Sequence, residues 1–502
     1  MAGQVRLRRL QAADGTLTMM TAHETSPGLM DAIGAEEGRA LFHCDDGSQM
    51  ALGEVLALAK NAAFAQTRRR VVFCFSENDP GGLAGYLGLL KAEAVPAMLS
   101  PTLPLDAIGT LRKAYQPDFL WLPEKRLAEF EGLPIVHAQW GYALLSTKAS
   151  SSKEIHADLA LLLTTSGSTG SPKFVRLSHR NLLANAEAIR TYLSLTPADR
   201  PVTTLPLGYS YGLSVLHSHL LAGSTIALTG RTFFDRGFWD FINQARVTSL
   251  AGVPYHYEML KKLRFAKMDL PALNTLTQAG GRMEPALTRE FAQLCAARNI
   301  RFFSMYGQTE ATARMAYLAP EKAIEKAGSI GRAIPGGAFS LIDGDGLRIN
   351  SSGCAGELVY EGANVCLGYA ETAADLALGD VFGGVLRTGD LAMRDEDGDY
   401  TIVGRLKRFL KLFGYRVNLA DIEASLAAEG HDAACAGRDD LLEVYLVGGT
   451  AEGGKAVKSR LVLQMKIAPQ AIKVFGVDAL PRSDAGKIRY GALETLAREI
   501  LA

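Results

Sequence analysis

From about residue 50 onward, short apolar strands alternate with helical stretches, and this alternation constrains the fold more than any other feature. Residues 53–66 are Ala- and Leu-rich and read as a helix, followed by a strand at 71–75, a helix at 85–92 and a strand at 94–99. The pattern then repeats, with strands at 159–164, 202–205 and 225–228 and helices at 181–193 and 213–221. Strands of β-branched and apolar residues separated by such helices build βαβ units around a parallel sheet. Ligands of these sheets bind beyond the carboxyl ends of the strands, where the loops gather.

The texture changes after about Gly336. Short alternating stretches at 339–343, 357–360 and 400–403, punctuated by Gly turns, read as antiparallel hairpins or a small barrel. Gly404-Arg405-Leu406-Lys407-Arg408 forms a compact basic boundary before a final segment of mixed strand and helix character. That segment is small enough to be a mobile lid. The expected organisation is an α/β protein with a large N-terminal domain over 1–404 and a small α+β C-terminal domain over 405–502. Residues 1–20 read as a ragged extension, with Met19 or Met20 as alternative starts.

Composition excludes several function classes. Lys plus Arg and Asp plus Glu number 53 each, so no bulk field attracts nucleic acid or an anionic membrane. The six cysteines are scattered without a Cys-x-x-Cys pair, and the histidines are not clustered, which argues against a zinc site or a disulfide scaffold. No apolar run is long enough for a transmembrane helix, and the N-terminal arginines are not followed by the apolar core of a signal peptide. A cytoplasmic enzyme is the expectation.

The strongest local signal is Thr164-Thr165-Ser166-Gly167-Ser168-Thr169-Gly170-Ser171-Pro172-Lys173, between a buried strand and a helix start at Ser178-His179-Arg180-Asn181. Glycines and hydroxyls let backbone wrap around phosphate oxygens, and Lys173 adds positive charge. The register is not that of a Walker A loop. The bland alternative is a Gly/Ser surface loop. Next, Met305-Tyr306-Gly307-Gln308-Thr309-Glu310 follows an apolar strand at 301–304 and offers a ring for a base, a hydroxyl for phosphate and a carboxylate for Mg²⁺. The alternative is an ordinary turn with Thr309 as N-cap. Gln278-Ala279-Gly280-Gly281 ends another strand, and its glycines permit close approach of a flat ligand. Asp390 and Arg405 suit ribose hydroxyls, although such residues are commonly solvated ion pairs. Lys487, in Pro481-Arg482-Ser483-Asp484-Ala485-Gly486-Lys487, reads alone as solvated surface.

Five motifs in this order resemble the adenylate-forming superfamily of acyl- and aryl-CoA synthetases, nonribosomal peptide synthetase adenylation domains and firefly luciferases. The resemblance spans about residues 50–490. It implies ATP-dependent activation of a carboxylic acid as an acyl-adenylate, with the active site between a large and a small domain. Under it, residues 165–173 would grip the β- and γ-phosphates through Thr165, Ser166, Gly167, Ser168, Thr169, Gly170 and Lys173. Tyr306 and Gly307 would pack on adenine, Thr309 would contact the α-phosphate, and Glu310 would hold Mg²⁺. Gly280 and Gly281 would line the adenine and acyl pocket, and Asp390 and Arg405 would bind the ribose. Lys487 matches the mobile catalytic lysine and Lys407 the hinge.

Tyr209, Tyr211, Gly252, Val253, Ala279 and Met305 would line a mostly apolar acyl pocket. Many relatives carry His or another aromatic at the Tyr209 position, so this chain departs from them there. Gly414 retains the hairpin that lines the pantetheine tunnel in CoA-using relatives. The acceptor is therefore CoA, a separate acyl carrier protein or, as in the coronafacate ligase type, an amine. Two rivals stand beside this reading. Gly208-Tyr209-Ser210-Tyr211-Gly212 matches a nucleophile elbow, which would make Ser210 a hydrolase nucleophile with His256 or His431 as base. The other rival is a nucleotide-binding relative without chemistry.

Overall fold

The computed structural model describes residues 28–501 apart from 37, 39, 148–152, 165–172, 407–408, 413–414, 439, 466 and 483–487. The βαβ alternation produces two sheets with parallel centres. In the larger, Leu159–Thr164, Val95–Met98, Val71–Cys74 and Phe119–Pro123 lie parallel in that order, with antiparallel strands closing both sides. The four central strands are buried on both faces, so their sequences are continuous apolar runs rather than alternating ones. In the second sheet Ser249–Gly252, Thr275–Gln278 and Arg301–Tyr306 run parallel, and Ala316–Leu318 and Arg332–Ala333 complete it antiparallel.

The hairpins expected after Gly336 form a five-stranded antiparallel sheet that includes Ala355–Gly362, Val385–Arg394 and Tyr400–Arg405. Beyond it, Phe409–Leu412 pairs with Tyr415–Asn418, and a three-stranded sheet of Ala433–Arg438, Leu441–Val447 and Ile472–Val477 packs with three helices. The buried clusters around this sheet draw only on residues from Leu410 onward. None of the described helices is long and apolar enough to cross a membrane.

Three local expectations differ from the structure. The helix over 53–66 is broken into Leu52–Leu56, a tighter turn at Ala57–Lys60 and Ala62–Ala65. Asn61 is extended there, and its side chain accepts a hydrogen bond from the Ala63 amide at 2.8 Å, capping a new helix instead of continuing the old one. The strand at 202–205 is reduced to isolated bridges at Pro201 and Val202. Pro201 and Pro206 lack N–H donors, and the Thr203 and Thr204 hydroxyls donate to Thr229 O and Ala251 O. The helix expected at 85–92 starts earlier, at Pro80, because the Asp79 carboxylate accepts from Gly82 N at 2.7 Å and Pro80 occupies the first turn.

Candidate active site

The strands Thr275–Gln278 and Arg301–Tyr306 are adjacent and parallel, with Gln278 opposite Ser304, so their carboxyl ends open at the same edge. At the first end the chain turns through Ala279 and Gly280, the latter at φ +85°, a conformation that favours glycine. A side chain on Gly280 would also strike the Tyr209 hydroxyl, since its Cβ would lie 2.3 Å away. Gly281 accepts at its carbonyl from the Gln278 amide at 3.0 Å, which holds this turn in place. At the second end, Gly307 runs so close to the returning chain that a Cβ would fall 1.7 Å from Ala313 O. Only a glycine fits there.

Beyond Gly307, Thr309–Ala311 forms a single tight helical turn. Gln308, not Thr309, stands at its N-cap, and the Thr309 hydroxyl lies 3.3 Å from Ser210 Oγ at the start of the helix Ser210–Leu221. This pair brings the 305–310 motif against the last residue of the Gly208-Tyr209-Ser210 segment.

Asp390 and Arg405 are cross-strand partners in the antiparallel sheet, and they pair with each other. Arg405 Nε donates to Asp390 Oδ1 at 2.6 Å, while Tyr306 Oη and Gln308 Nε2 donate to Oδ2 at 2.5 and 2.9 Å. Asp390 is 1% exposed, so this is a buried carboxylate that accepts from three donors drawn from two segments. Burial first, and then the Asp390 charge, hold the Tyr306 phenol well above its usual pKa, so it stays a donor at any physiological pH. The solvated ion pair entertained for Asp390 and Arg405 is therefore only half right: the arginine is exposed and the aspartate is not.

A second cluster surrounds Glu310. The Tyr369 hydroxyl donates to Glu310 Oε1 at 2.8 Å, and the Lys173 ammonium stands 3.8 Å over the same tyrosine ring. Burial and then Glu310 raise the Tyr369 pKa, which keeps this proton on the phenol. Tyr369 belongs to Gly368–Ala370, an edge strand that pairs with Phe174–Ser178 immediately after Lys173. Sequence reasoning missed both Tyr369 and Gln308. The available signal was weak, a Gly-Tyr pair far along the chain and a polar residue inside a motif already assigned.

Five of the six expected pocket residues, Tyr209, Tyr211, Val253, Ala279 and Met305, share one hydrophobic cluster, and Gly252 adjoins it between Ala251 and Val253. Tyr211 donates to Thr277 O at 2.9 Å, and burial raises its phenol to about 12. The hydrolase reading finds no support in this geometry. His256 is pushed down to about 4 by burial and packs edge-on against Phe233, and Ser210 Oγ lies against the Thr309 hydroxyl instead. Residues 165–170, Lys407, Gly414 and Lys487 lie outside the described residues.

The family model described as AMP-binding enzyme matches residues 51–370. Indoleacetate–CoA ligase of Aromatoleum aromaticum is 33% identical over 346 residues, 66% of this chain and 65% of that protein. The nonribosomal peptide synthetase CmlP of Streptomyces venezuelae is 28% identical over 471 residues, 89% of this chain and 46% of that protein. The chain thus spans less than two thirds of the length of either relative. The solved structure of O-succinylbenzoate coenzyme A synthetase from Bacillus subtilis in complex with AMP superposes with a TM-score of 0.74 at 22% identity, covering 93% of this chain and 98% of that one. That likeness establishes a shared fold. With a family match over more than half its length, the chain belongs to the AMP-binding enzyme family.

Proposed function

We propose that this protein uses ATP to activate a carboxylic acid as an acyl-adenylate and then transfers the acyl group to a thiol or an amine. The observation that carries this reading is the convergence of Tyr306, Gln308 and Arg405 on the buried Asp390 carboxylate, next to the Thr309–Ser210 and Lys173–Tyr369–Glu310 contacts. In the first half-reaction a carboxylate oxygen attacks the α-phosphorus, the bond to the β-phosphate oxygen breaks, and pyrophosphate leaves. Two polyanions must meet, so the chain's contribution is positioning and charge neutralisation.

Each role follows from what the side chain offers. The Tyr306 ring, anchored through its hydroxyl, is a flat platform for adenine, with Gly307 leaving room beside it. Asp390, with Arg405 beside it, suits the ribose hydroxyls. Thr309 donates toward the α-phosphate, and Thr165 to Lys173 embrace the outer phosphates. Lys173 now rests on an aromatic face, a weak hold from which it can turn to a phosphate. Glu310 has one oxygen oriented by Tyr369, the hard-oxygen donor that suits Mg²⁺. Mg²⁺ bound there would neutralise phosphate charge. Lys487 brings a cation to the reacting carboxylate and α-phosphate.

In the second half-reaction the acceptor attacks the acyl carbon and AMP leaves. The domain division at 404/405 and a hinge at Lys407 would let the C-terminal domain rotate between the two steps. The names of the relatives, a CoA ligase and a peptide synthetase, favour a thiol, either CoA or a carrier pantetheine. An amine is compatible with the same chemistry. A cytoplasmic location fits the ATP requirement.

The test is acid-dependent ATP–pyrophosphate exchange over a panel of carboxylic acids, for wild type and Lys487→Ala. Exchange by wild type and a fall of about 10²–10³ in the variant are expected, as for loss of a group that stabilises transition-state charge. ATP binding without exchange with any acid would instead point to a relative without chemistry. Failure to bind ATP at all would sink the proposal.

A further inference from the structure

Arg176 and Arg314 are the most deeply buried arginines among the described residues, at 0% and 2% exposure, and they are satisfied differently. Arg176 donates from all three nitrogens to main-chain carbonyls, Nε to Tyr369 O at 3.0 Å, Nη1 to Leu378 O, and Nη2 to Leu367 O and Gly379 O at 3.0 and 3.2 Å. Carbonyl oxygens are strong acceptors, so Arg176 reads as a structural cross-link.

Arg314 has neither a carbonyl nor a carboxylate. Its Nε donates to the Ser214 hydroxyl at 3.2 Å, and Nη1 reaches the Tyr192 hydroxyl at 2.9 Å and the Met305 sulfur at 3.2 Å. The guanidinium carbon stands 4.9 Å over the Tyr211 ring. Nη2 has no acceptor among the described residues. Hydroxyls, a thioether and a ring are poor compensation for a permanent charge taken out of water. The guanidinium is not needed to fasten its own segment either. Its carbonyl already accepts from Asn185 Nδ2 at 2.8 Å and Asn364 Nδ2 at 3.1 Å.

The position of this charge is informative. Tyr211 and Met305 are acyl-pocket residues, and Arg314 touches both. It also lines a cavity with Val215, His219, Ala251 and Thr277. Tyr211, Val215 and His219 follow one another along a single face of the helix Ser210–Leu221. Ala251 adjoins Gly252, and Thr277 bonds to Tyr211, so the cavity borders immediate neighbours of the pocket residues. Asp199 borders the same cavity but forms no ion pair with Arg314, and its Oδ2 already accepts from the amide and hydroxyl of Thr196 at 2.8 and 3.0 Å.

We propose that the acyl substrate carries a second ionised carboxylate, and that Arg314 receives it at the far end of the pocket. The inference rests on the adenylation reading. One carboxylate of the diacid goes to the phosphate, while the other supplies the strong acceptor that the guanidinium lacks. Apolar contacts with Tyr209, Val253 and Ala279 hold the carbons between.

The test is ATP–pyrophosphate exchange with the α,ω-diacids succinate through suberate, each beside its monomethyl ester and the monoacid of equal length. At least one diacid is expected to exceed its ester in kcat/KM by about 10²-fold, as for a buried polar site left unpaired by the analogue. Arg314→Met should erase that preference by raising KM for the diacid, with KM for ATP and exchange with the ester retained. Arg314→Lys should recover part of it. Wild type that favours monoacids or esters overturns the proposal on its own, whether or not the variants fold. So does an equal loss on diacid and ester in Arg314→Met, which would make Arg314 a packing residue. No exchange with any acid defeats the adenylation reading and this inference with it.

Discussion

Replacing Asp390 with alanine tests whether the Tyr306–Asp390–Gln308–Arg405 network organises the nucleotide site. The carboxylate is 1% exposed and receives donors at 2.5, 2.6 and 2.9 Å. In Asp390→Ala the Tyr306 hydroxyl loses its acceptor, and Gln308 keeps only the Thr388 carbonyl at 3.0 Å and the phenol oxygen at 3.2 Å. A buried donor left without a partner costs about 1–3 kcal/mol. Arg405 adds little, because its side chain is 58% exposed and water can replace the carboxylate. The expected loss is therefore about 2–3 kcal/mol, dominated by Tyr306. Asp390→Asn keeps one acceptor oxygen but loses the charge, so about half that loss is expected. Urea unfolding of the three proteins reads these differences. In parallel, KM for ATP should rise at least tenfold in Asp390→Ala while KM for the acid changes little, a tenfold step corresponding to about 1.4 kcal/mol. Stability within about 0.5 kcal/mol of wild type, the range of an ordinary surface substitution, would refute the reasoning. An unchanged KM for ATP would leave the network structural and remove it from the nucleotide site.

Tyr369→Phe keeps the ring beneath Lys173 but removes the proton given to Glu310, so the Mg²⁺ concentration for half-maximal rate should rise several-fold while ATP affinity at saturating Mg²⁺ holds; loss of orientation around metal ligands typically costs about 10–100-fold at most. Ser210→Ala should retain exchange within about tenfold, because the Ser210 hydroxyl touches Thr309 rather than the reacting atoms, and the wild type should resist fluorophosphonate labelling; labelling at Ser210 would revive the hydrolase reading. His217, buried against the Tyr86 hydroxyl at 2.8 Å, is pushed down to about 3 by burial. The unfolded chain binds this proton first as pH falls below about 6.5, so His217 should contribute stability above that pH and lose it on the order of 1 kcal/mol per pH unit toward its folded pKa. The melting temperature of wild type should accordingly fall more steeply between pH 6.5 and 4 than that of His217→Gln, and equal slopes would contradict this assignment.

Much of the fold was readable because its signals are local. Continuous apolar runs such as Leu159–Thr164 and Val71–Cys74 announce strands covered on both faces, and those strands form where expected. Misreadings arose where one residue outweighs an average. Asn61 cuts a helix-forming stretch by capping the next turn, and two prolines with two threonine hydroxyls divert 202–205 from a ladder. The helix from Pro80 carries glycines that lower helix propensity, yet a Cβ on Gly85 would sit 1.9 Å from the Trp121 indole nitrogen. Packing against the sheet selects glycine there, which a propensity reading counts as a break.

The sequence by itself determined the order of strands and helices and the placement of Tyr306, Gly307, Thr309 and Glu310 at a strand end and the turn after it. Periodicity, turn chemistry and motif spacing act over a few residues and so are written linearly along the chain. The tertiary structure decided what those residues meet. Asp390 took its donors from Tyr306, Gln308 and Arg405, Tyr369 came to bridge Lys173 and Glu310, and Arg314 was left as a buried cation against Tyr211 and Met305. Desolvation and hydrogen-bond satisfaction depend on neighbours distant in sequence, so their balance exists only once the sheets have closed around these side chains.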